Sequence, residues 1–284
     1  MDVAGPLKIG VKLPEAIQDV GEWLADAAAF EAAGADSLWL SERLLRPPED
    51  DAGPPPTPEP WTLMAAVAAA THHARLGTSV SVAALWPPAL LAGVVTTLDL
   101  LSGGRVIVGA GAGWEPVQFS AVGLDFATRG RRLDELISAL RHLWSNPNEP
   151  YSGELYDLPA LRLAEGVRPG GPPIFVGALS EPGYLRAARL AEGFIHAGGG
   201  PRQVAELFDH IRKLRKEAGR ARDPFELWVQ VPSPGDRADW ARTLAAYAET
   251  GATGVLVSAG PRLLDMLRNP DQEIDRSDLF LAQG

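Results

Sequence analysis

Residues 76–109, LGTSVSVAALWPPALLAGVVTTLDLLSGGRVIVG, contain one complete unit of the fold. Residues 76–83 and 105–109 are rich in β-branched and small apolar side chains, which is typical of strands that are covered on both faces. Between them, residues 89–101 have the apolar spacing of a helix, and two prolines stand just before it. A strand, a helix and another strand in this order predict a βαβ unit with parallel strands.

The same alternation of short strands and longer helices extends along the whole chain. The predicted strands are residues 8–13, 37–41, 76–83, 105–109, 173–176, 193–196, 227–231 and 254–258. The predicted helices are residues 19–33, 61–73, 89–101, 129–144, 181–191, 203–218, 236–249 and 262–267. Eight such units in 284 residues predict a (β/α)8 TIM barrel of the α/β class, as a single domain over residues 1–284. An open doubly wound sheet is the alternative.

Two segments interrupt this alternation. Residues 46–60, RPPEDDAGPPPTPEP, contain too many prolines for a helix or a strand, and they follow the second strand, which places them on the C-terminal face of a barrel. They are interpreted as a candidate lid or as a surface loop without a role. Residues 151–163 predict a small hairpin, to which we assign no chemistry.

The composition argues against several classes of function. A formal net charge of −10, with one short basic stretch at residues 212–216, disfavours nucleic-acid and anionic-membrane partners. The chain has no cysteine, which excludes disulfides and thiolate chemistry, and no pair of histidines has the spacing of a metal site. No apolar run approaches the roughly 20 residues of a membrane span, and the N-terminus lacks the features of a signal peptide. We therefore expect a cytoplasmic protein.

Glycine-rich or helix-opening turns follow two of the predicted strands, at the end of a barrel where ligands gather. The glycines of GAGAGW, residues 109–114, allow a flat or anionic ligand to approach the backbone, although a simple tight turn has the same pattern. GALS, residues 177–180, leads directly into a helix, whose N-terminus either binds a phosphate or is simply capped by the serine. Trp86, beyond the third strand, either walls a ring-shaped ligand or packs at the rim.

Several motifs together resemble one known family. They are LGTSV at 76–80, TLDLLSGGR at 97–105, GAGAGW at 109–114, RGRRLDE at 129–135, PPIFVG at 172–177 and AEGF at 191–194. By these motifs the chain resembles the bacterial luciferase-like monooxygenase family, and specifically its coenzyme F420-dependent (deazaflavin) oxidoreductase branch. The resemblance implies a TIM barrel that binds FMN or coenzyme F420 with the ring at the C-terminal mouth.

The same resemblance implies a cofactor site. Ser79 and Val80 match the strand-end bulge behind the ring, which often contains a non-prolyl cis peptide. The backbone of residues 109–111 would line the ring, and residues 177–180 would form the phosphate loop, with Leu179 and Ser180 where relatives usually carry paired glycines. The implied cofactor-binding residues are Ser41, Ser79, Val80, Gly109, Ala110, Gly111, Gly177, Ala178, Leu179 and Ser180.

The segment after the second strand departs from the family pattern. Many relatives carry an acid and then a histidine there, whereas this chain has Glu42 and Arg43. An arginine stays protonated near neutral pH and cannot act as a general base. Arg43 is therefore interpreted as a group that holds an anionic substrate, neutralises reduced cofactor, or forms a salt bridge to Glu42 or to the acidic loop.

His196 is the histidine of five that ends a predicted strand, which makes it the best titratable candidate. The catalytic candidates are thus Glu42, Arg43 and His196. Gln230 and Ser258 end the seventh and eighth strands and are candidates for binding substrate.

These observations predict hydride transfer between coenzyme F420 and a small organic substrate. One alternative is an FMN-dependent two-component monooxygenase that a separate reductase supplies with reduced cofactor. Another is a flavin-binding barrel without catalysis. The resemblance also implies a homodimer.

Overall fold

Eight parallel strands close into a barrel in the computed structural model, which describes residues 6–45, 56–166 and 168–269. The barrel strands are β1 (Lys8–Lys12), β2 (Ser37–Leu40), β3 (Arg75–Thr78), β4 (Val106–Ala110), β7 (Ile174–Gly177), β8 (Gly193–His196), β9 (Glu226–Gln230) and β10 (Gly254–Ser258). Their order around the barrel is β1-β10-β9-β8-β7-β4-β3-β2. The predicted TIM barrel is therefore confirmed. The predicted hairpin is present as the antiparallel pair β5 (Tyr151–Ser152) and β6 (Asp157–Leu158).

Helices surround the barrel at the predicted places. They are α1 (Val20–Ala32), α2 (Pro60–Ala70), α3 (Pro88–Ser102), α4 (Pro116–Ala121), α5 (Arg129–Ser145), α6 (Glu181–Leu190), α7 (Pro201–Glu217), α8 (Arg237–Ala248) and α9 (Pro261–Arg268). Helices α2, α3, α4, α6, α7 and α9 each have a proline in the first turn, where its fixed φ favours the helix and its missing N–H costs nothing. The short α4 was not predicted. None of the described helices is long and apolar enough to cross a membrane.

The candidate lid falls mostly outside the described residues. Residues 46–55 are not described, and the last residue of the predicted loop, Pro60, is the first residue of α2. The side chain of Glu59 caps this helix, accepting hydrogen bonds from the backbone N–H groups of Trp61 and Thr62 at 2.7 Å each. The lid prediction stays a prediction.

The third strand is shorter than predicted. It ends at Thr78 rather than at Ala83, and residues 83–85 form a 3₁₀ turn. Pairing with β4 resumes at Ser81, whose N–H donates to the carbonyl of Gly109 and whose carbonyl accepts from the N–H of Gly111, at 2.8 Å each. The two residues before Ser81 therefore bulge out of the pairing with β4, while the N–H of Ser79 still donates to the carbonyl of Leu40 in β2 at 2.7 Å. The β-rich composition of this segment made the bulge and the turn look like a continuous strand.

Large rings fill the barrel interior. Trp39, Phe175 and Trp228 are fully buried there with Ile107, Ile195 and Leu256, and the ring centroids of Trp39 and Trp228 lie 5.4 Å apart. A Cβ atom at Gly77 would lie 2.4 Å from the Trp39 ring, and one at Gly254 would lie 2.6 Å from the Trp228 ring. The rings are accommodated because neighbouring strands carry glycine opposite them.

Charged groups close the N-terminal end of the barrel. The carboxylate of Glu226 accepts hydrogen bonds from Arg75 at 2.8 Å, from the Trp228 indole at 3.0 Å and from Lys8 at 3.3 Å. Burial by itself raises the pKa of Glu226, but Arg75, Trp228 and Lys8 together bring this pKa below its ordinary value. The polar groups of this cluster are paired with one another, and in barrels of this fold ligands bind at the opposite, C-terminal end.

The glycine opposite Trp39 provides a test of this packing. The Gly77→Ala variant should lose about 1–3 kcal/mol of unfolding free energy, because the added methyl group overlaps a ring that cannot move within the packed interior. The control is Gly93→Ala in α3, where a Cβ has no atom within 4 Å. This change should leave stability equal or raise it by up to about 1 kcal/mol. Urea denaturation of both variants measures the difference, and equal effects would contradict the packing argument.

Candidate functional site

A bulge after β3 forms the floor of the barrel mouth. The peptide bond between Ser79 and Val80 is cis, as the family resemblance implied, and the Val80 side chain packs onto the interior cluster below it. A Cβ at Gly111 would lie 2.7 Å from Val80, and one at Gly177 would lie 2.6 Å from it. A Cβ at Gly109 would lie 1.6 Å from the carbonyl oxygen of Thr78. Glycines at the ends of β4 and β7 thus leave room for the Val80 side chain and the Thr78 carbonyl, and the floor around Val80 is apolar.

Two serines lie beside this floor. The Ser41 hydroxyl donates to the carbonyl of Ser79 at 3.3 Å, which ties the end of β2 to the bulge. The Ser79 hydroxyl is buried and has no hydrogen-bond partner among the described residues. A buried hydroxyl of this kind is costly unless a ligand or water bonds to it. Ala110, another predicted cofactor-binding residue, brings only its backbone near the mouth, because its side chain packs into the hydrophobic core outside the barrel interior.

Glu42 joins the loops that follow β2 and β3. Its side chain is only 4% exposed, and its Oε2 atom accepts hydrogen bonds from the Ser81 hydroxyl and from the Val82 N–H, the latter at 2.8 Å. Its Oε1 atom accepts none from the described residues, although the Trp86 indole lies close to the carboxyl group. Burial raises the pKa of Glu42, and the hydrogen bonds offset only part of this effect. Glu42 therefore holds the loops together at the mouth.

Arg43 forms an ion pair that the sequence did not predict. Its guanidinium group contacts the carboxylate of Glu15, which follows β1, and its backbone N–H donates to the Thr57 hydroxyl at 2.8 Å. The Thr57 N–H in turn donates to the carbonyl of Arg43 at 2.9 Å. The salt bridge to Glu42 that we considered is absent from these contacts, because the Glu42 carboxylate is turned toward the β3 loop.

His196 lies on the outer side of its strand. Its ring stacks on that of Phe194 at 6.1 Å between centroids, and Phe194 packs against Phe208 of α7. The side chain between them in sequence, Ile195, is the one that enters the barrel interior. Burial lowers the pKa of His196, and an interaction with the backbone of Ala178 opposes this. His196 is thus near the β7–α6 loop and points away from Val80 and Arg43.

The expected phosphate loop leads from β7 into α6 as predicted. Ser180 occupies the N-cap position, but its hydroxyl makes no capping hydrogen bond to the helix. Leu179 is 71% exposed, whereas the Ala178 side chain packs against the core. The first helical residue, Glu181, accepts a hydrogen bond from His210 at 2.9 Å. The loop offers backbone donors and one hydroxyl at a helix N-terminus.

A second set of polar side chains lies on the opposite side of the mouth. The sequence analysis predicted only some of its members. Lys12, Glu15, Arg43 and Ser258 line a cavity of about 280 Å³. The Lys12 ammonium donates to Oε1 of Gln230 at 3.3 Å. Gln230 and Ser258 were candidates by position, whereas Lys12 and Glu15 were missed. The rule that ligands gather at strand ends would have found Lys12, which ends β1.

No group of three or more histidine or acidic side chains within the described ranges is arranged to hold a metal ion. The described residues at the mouth include an apolar floor around Val80, two polar atoms without a hydrogen-bond partner in the described part of the chain, and a cavity lined by Lys12, Arg43 and Glu15.

Comparison with known proteins relates this chain to one family. The model of the luciferase-like monooxygenase family matches residues 5–276. An uncharacterized protein of Mycobacterium tuberculosis is 34% identical over 257 residues, which are 86% of each chain. The F420-dependent glucose-6-phosphate dehydrogenase of Amycolatopsis mediterranei is 32% identical over 221 residues, which are 76% of this chain and 64% of that protein.

One solved structure has the same fold over nearly the whole chain. The F420-dependent secondary alcohol dehydrogenase in complex with an F420–acetone adduct matches with a TM-score of 0.78 and 16% identity. The match covers 93% of this chain and 97% of that one.

The raised pKa of Glu42 predicts a pH dependence of stability. Between its ordinary value of 4.5 and the raised value, the folded protein binds more protons than the unfolded chain, so the unfolding free energy contributed by Glu42 falls as the pH rises. The Glu42→Gln variant keeps an acceptor for the Val82 N–H without the buried charge, and we expect it to be at least as stable as the wild type at neutral pH. Glu42→Ala leaves the donors unpaired and should lose about 1–3 kcal/mol.

Thermal unfolding of the three proteins from pH 4 to pH 8 measures both effects, in a range that spans about the ordinary carboxyl pKa and neutrality. A Glu42→Gln variant that is less stable than wild type at neutral pH would show that the charged carboxylate stabilises these loops.

Proposed function

The chain belongs to the luciferase-like monooxygenase family, and from this premise we propose that it is an oxidoreductase that uses coenzyme F420. It transfers a hydride between the deazaflavin and a small organic substrate. The observation that carries the proposal is the apolar floor around Val80, which packs against Gly111 and Gly177, with the buried Ser79 hydroxyl beside it. A planar ring can lie on an apolar surface made of one valine side chain and backbone, and a cofactor atom can satisfy the hydroxyl.

The residues at the mouth suit such a cofactor. Val80 and the backbone of Gly109 and Gly111 would contact one face of the ring, and the loop at residues 177–180 would hold a phosphate at the start of α6. When bound, a deazaflavin supplies the carbon that accepts or donates the hydride. The protein contributes orientation, charge and the exclusion of water.

Arg43 determines which kind of catalysis these residues can support. A guanidinium group holds negative charge but does not accept a proton near neutral pH. Its ion pair with Glu15 fixes its position at the mouth. We therefore assign to Arg43 the role of holding charge on the substrate or cofactor, and not that of a general base. His196, on the outer side of β8, is not assigned a part in hydride transfer.

The sequence relatives whose names state a cofactor support F420, while one solved structure of the same fold contains modified FMN. A dehydrogenase whose name states F420 dependence is 32% identical to this chain, and a solved structure of an F420-dependent alcohol dehydrogenase has the same fold. The chain spans less than two thirds of the first of these proteins, so its substrate is not transferred to this chain.

A pair of turnover assays tests the proposed function. We expect reduction of F420 by at least one alcohol in a panel of secondary alcohols and sugars under anaerobic conditions. We expect no substrate-dependent oxygen uptake with reduced FMN. Oxygen uptake without F420 reduction would favour the two-component monooxygenase, and cofactor binding without turnover in either assay would favour a non-catalytic barrel.

The Ser79 hydroxyl allows a test of the cofactor site that does not depend on the substrate. Ser79→Ala should weaken F420 binding by about 2- to 10-fold, which corresponds to one neutral hydrogen bond. Its melting temperature should not fall, because this hydroxyl has no partner among the described residues. Calorimetric titration with F420 measures the affinity.

The control is Ser81→Ala, two residues along the chain. It removes the hydrogen bond to Glu42 and should lower the melting temperature. If Ser79→Ala binds F420 as tightly as wild type does, the cofactor does not contact this hydroxyl, and the placement of the ring beside the bulge is wrong.

A further inference from the structure

Two lysines of β1 enter the barrel interior at its opposite ends. Lys8 reaches Glu226 and Lys12 reaches Gln230, each at 3.3 Å, and the members of each pair are separated by 218 residues. Lys8 and Lys12 are four residues apart on β1, and Glu226 and Gln230 are four residues apart on β9. Because side chains alternate along a strand, the two members of each strand lie on the same face. A lysine of β1 therefore contacts a side chain of β9 at both ends of the barrel. At the N-terminal end the acceptor is the carboxylate of Glu226, and at the mouth it is the neutral amide of Gln230.

This difference leaves the Lys12 ammonium without a carboxylate in hydrogen-bond contact among the described residues. An ammonium group has three N–H donors, and within the described ranges the Lys12 ammonium donates only to Gln230. Burial lowers the pKa of Lys12, Glu15 raises it and Arg43 lowers it further. A partly buried cation without a carboxylate in contact is unfavourable by itself, and a bound anion would relieve this cost.

The surroundings of Lys12 add a second cation and an open space. Arg43 lines the same cavity of about 280 Å³, held there by its contact with Glu15. Ser258 pairs with Lys12 in the register of β1 and β10 and also lines the cavity, where its hydroxyl can donate a hydrogen bond. Two cations and one carboxylate are thus among the described residues that line this space.

We propose that the cavity between Lys12 and Arg43 is a subsite for an oxyanion, a carboxylate or phosphate group carried by the substrate. This inference rests on the proposed function and narrows it, because it selects small anionic alcohols or carbonyl compounds as substrates. The Lys12 ammonium binds the anion through the donors that Gln230 does not use. Arg43 adds a charge-assisted contact, and Glu15 positions its guanidinium group. The reacting carbon then extends from the anchored anion toward the floor around Val80.

Anion binding to the protein without cofactor tests the proposal. Calorimetric titrations use inorganic phosphate, sulfate and acetate at constant ionic strength, with chloride as the background salt. We expect saturable binding of at least one of these oxyanions, weakened about tenfold or more in Lys12→Met, because a charged hydrogen bond to a desolvated group is lost. A preference for phosphate and sulfate would indicate a phosphate-bearing substrate, and a preference for acetate would indicate a carboxylate.

Lys8→Met is the matched control. It removes a lysine of the same strand with the same orientation, but one that contacts a carboxylate at the closed end. This variant should bind the anion as wild type does even if its stability falls. Equal weakening in both variants would overturn the proposal, because the loss would then reflect the overall charge or the integrity of the barrel.

Proton uptake gives a measurement on the wild type that needs no variant. Bound anion favours the charged form of Lys12, whose neighbouring charged groups are Glu15 and Arg43. Binding of sulfate, which does not titrate, should therefore take up protons over the pH range in which the Lys12 ammonium of the unliganded protein deprotonates. Titrations in pairs of buffers with different heats of ionisation, repeated at increasing pH until anion binding is lost, detect this uptake, and its absence over that whole range would contradict a role for the Lys12 ammonium.

Titration of the same samples with F420 separates this inference from the proposed function. Wild type and Lys12→Met should bind F420 equally. If wild type binds F420 but no oxyanion, the subsite is wrong and the cofactor assignment stands. If it binds an oxyanion but not F420, the proposed function fails while the subsite remains. If Lys12→Met weakens F420 binding and leaves oxyanion binding unchanged, Lys12 serves the cofactor and the proposal is overturned.

Discussion

The fit of large side chains against glycines on neighbouring strands is the constraint on which the barrel depends. Trp39 and Trp228 fill the interior because Gly77 and Gly254 leave room for their rings. The same principle applies once more at the mouth, where Val80 fits against Gly111 and Gly177. Side chains therefore fill the barrel interior up to the bulge after β3. A ligand can bind in the next layer, at the C-terminal mouth above Val80.

The two ends of the barrel differ in how completely their polar groups are paired. At the N-terminal end, Glu226 is bonded to Arg75, Lys8 and Trp228, which forms a closed cluster. At the mouth, one carboxylate oxygen of Glu42 and the hydroxyl of Ser79 have no partners among the described residues. Buried polar groups are nearly always paired in folded proteins, and local exceptions are expected where a ligand binds. This difference supports the proposal that a ligand binds at the mouth.

Much of the fold followed from local pattern, because covered parallel strands are runs of valine, isoleucine and leucine between helices with clear boundaries. The end of β3 did not, because Ser79 and Val80 have the composition of a strand but interrupt its pairing with β4, which resumes at Ser81. The cis peptide in this bulge came from the family resemblance, since no composition rule indicates one outside proline.

The parts of the candidate site that lie within a single loop could be predicted from the sequence. The parts that form where distant strands or two different loops meet could not. The glycines of residues 109–111 and 177 were found, whereas the contact between Lys12 and Gln230 joins residues 218 positions apart, and the one between Arg43 and Glu15 joins two loops. The orientation of His196 could have been inferred from the alternation of a strand, since Phe194 lies on the same side and Ile195 on the other.

A calorimetric titration of the purified wild-type protein with coenzyme F420, in parallel with FMN, tests directly the proposal that the mouth of the barrel holds a deazaflavin. We expect one F420 bound per chain, with FMN bound more weakly. Failure of F420 to bind, or preferential binding of FMN, would contradict it.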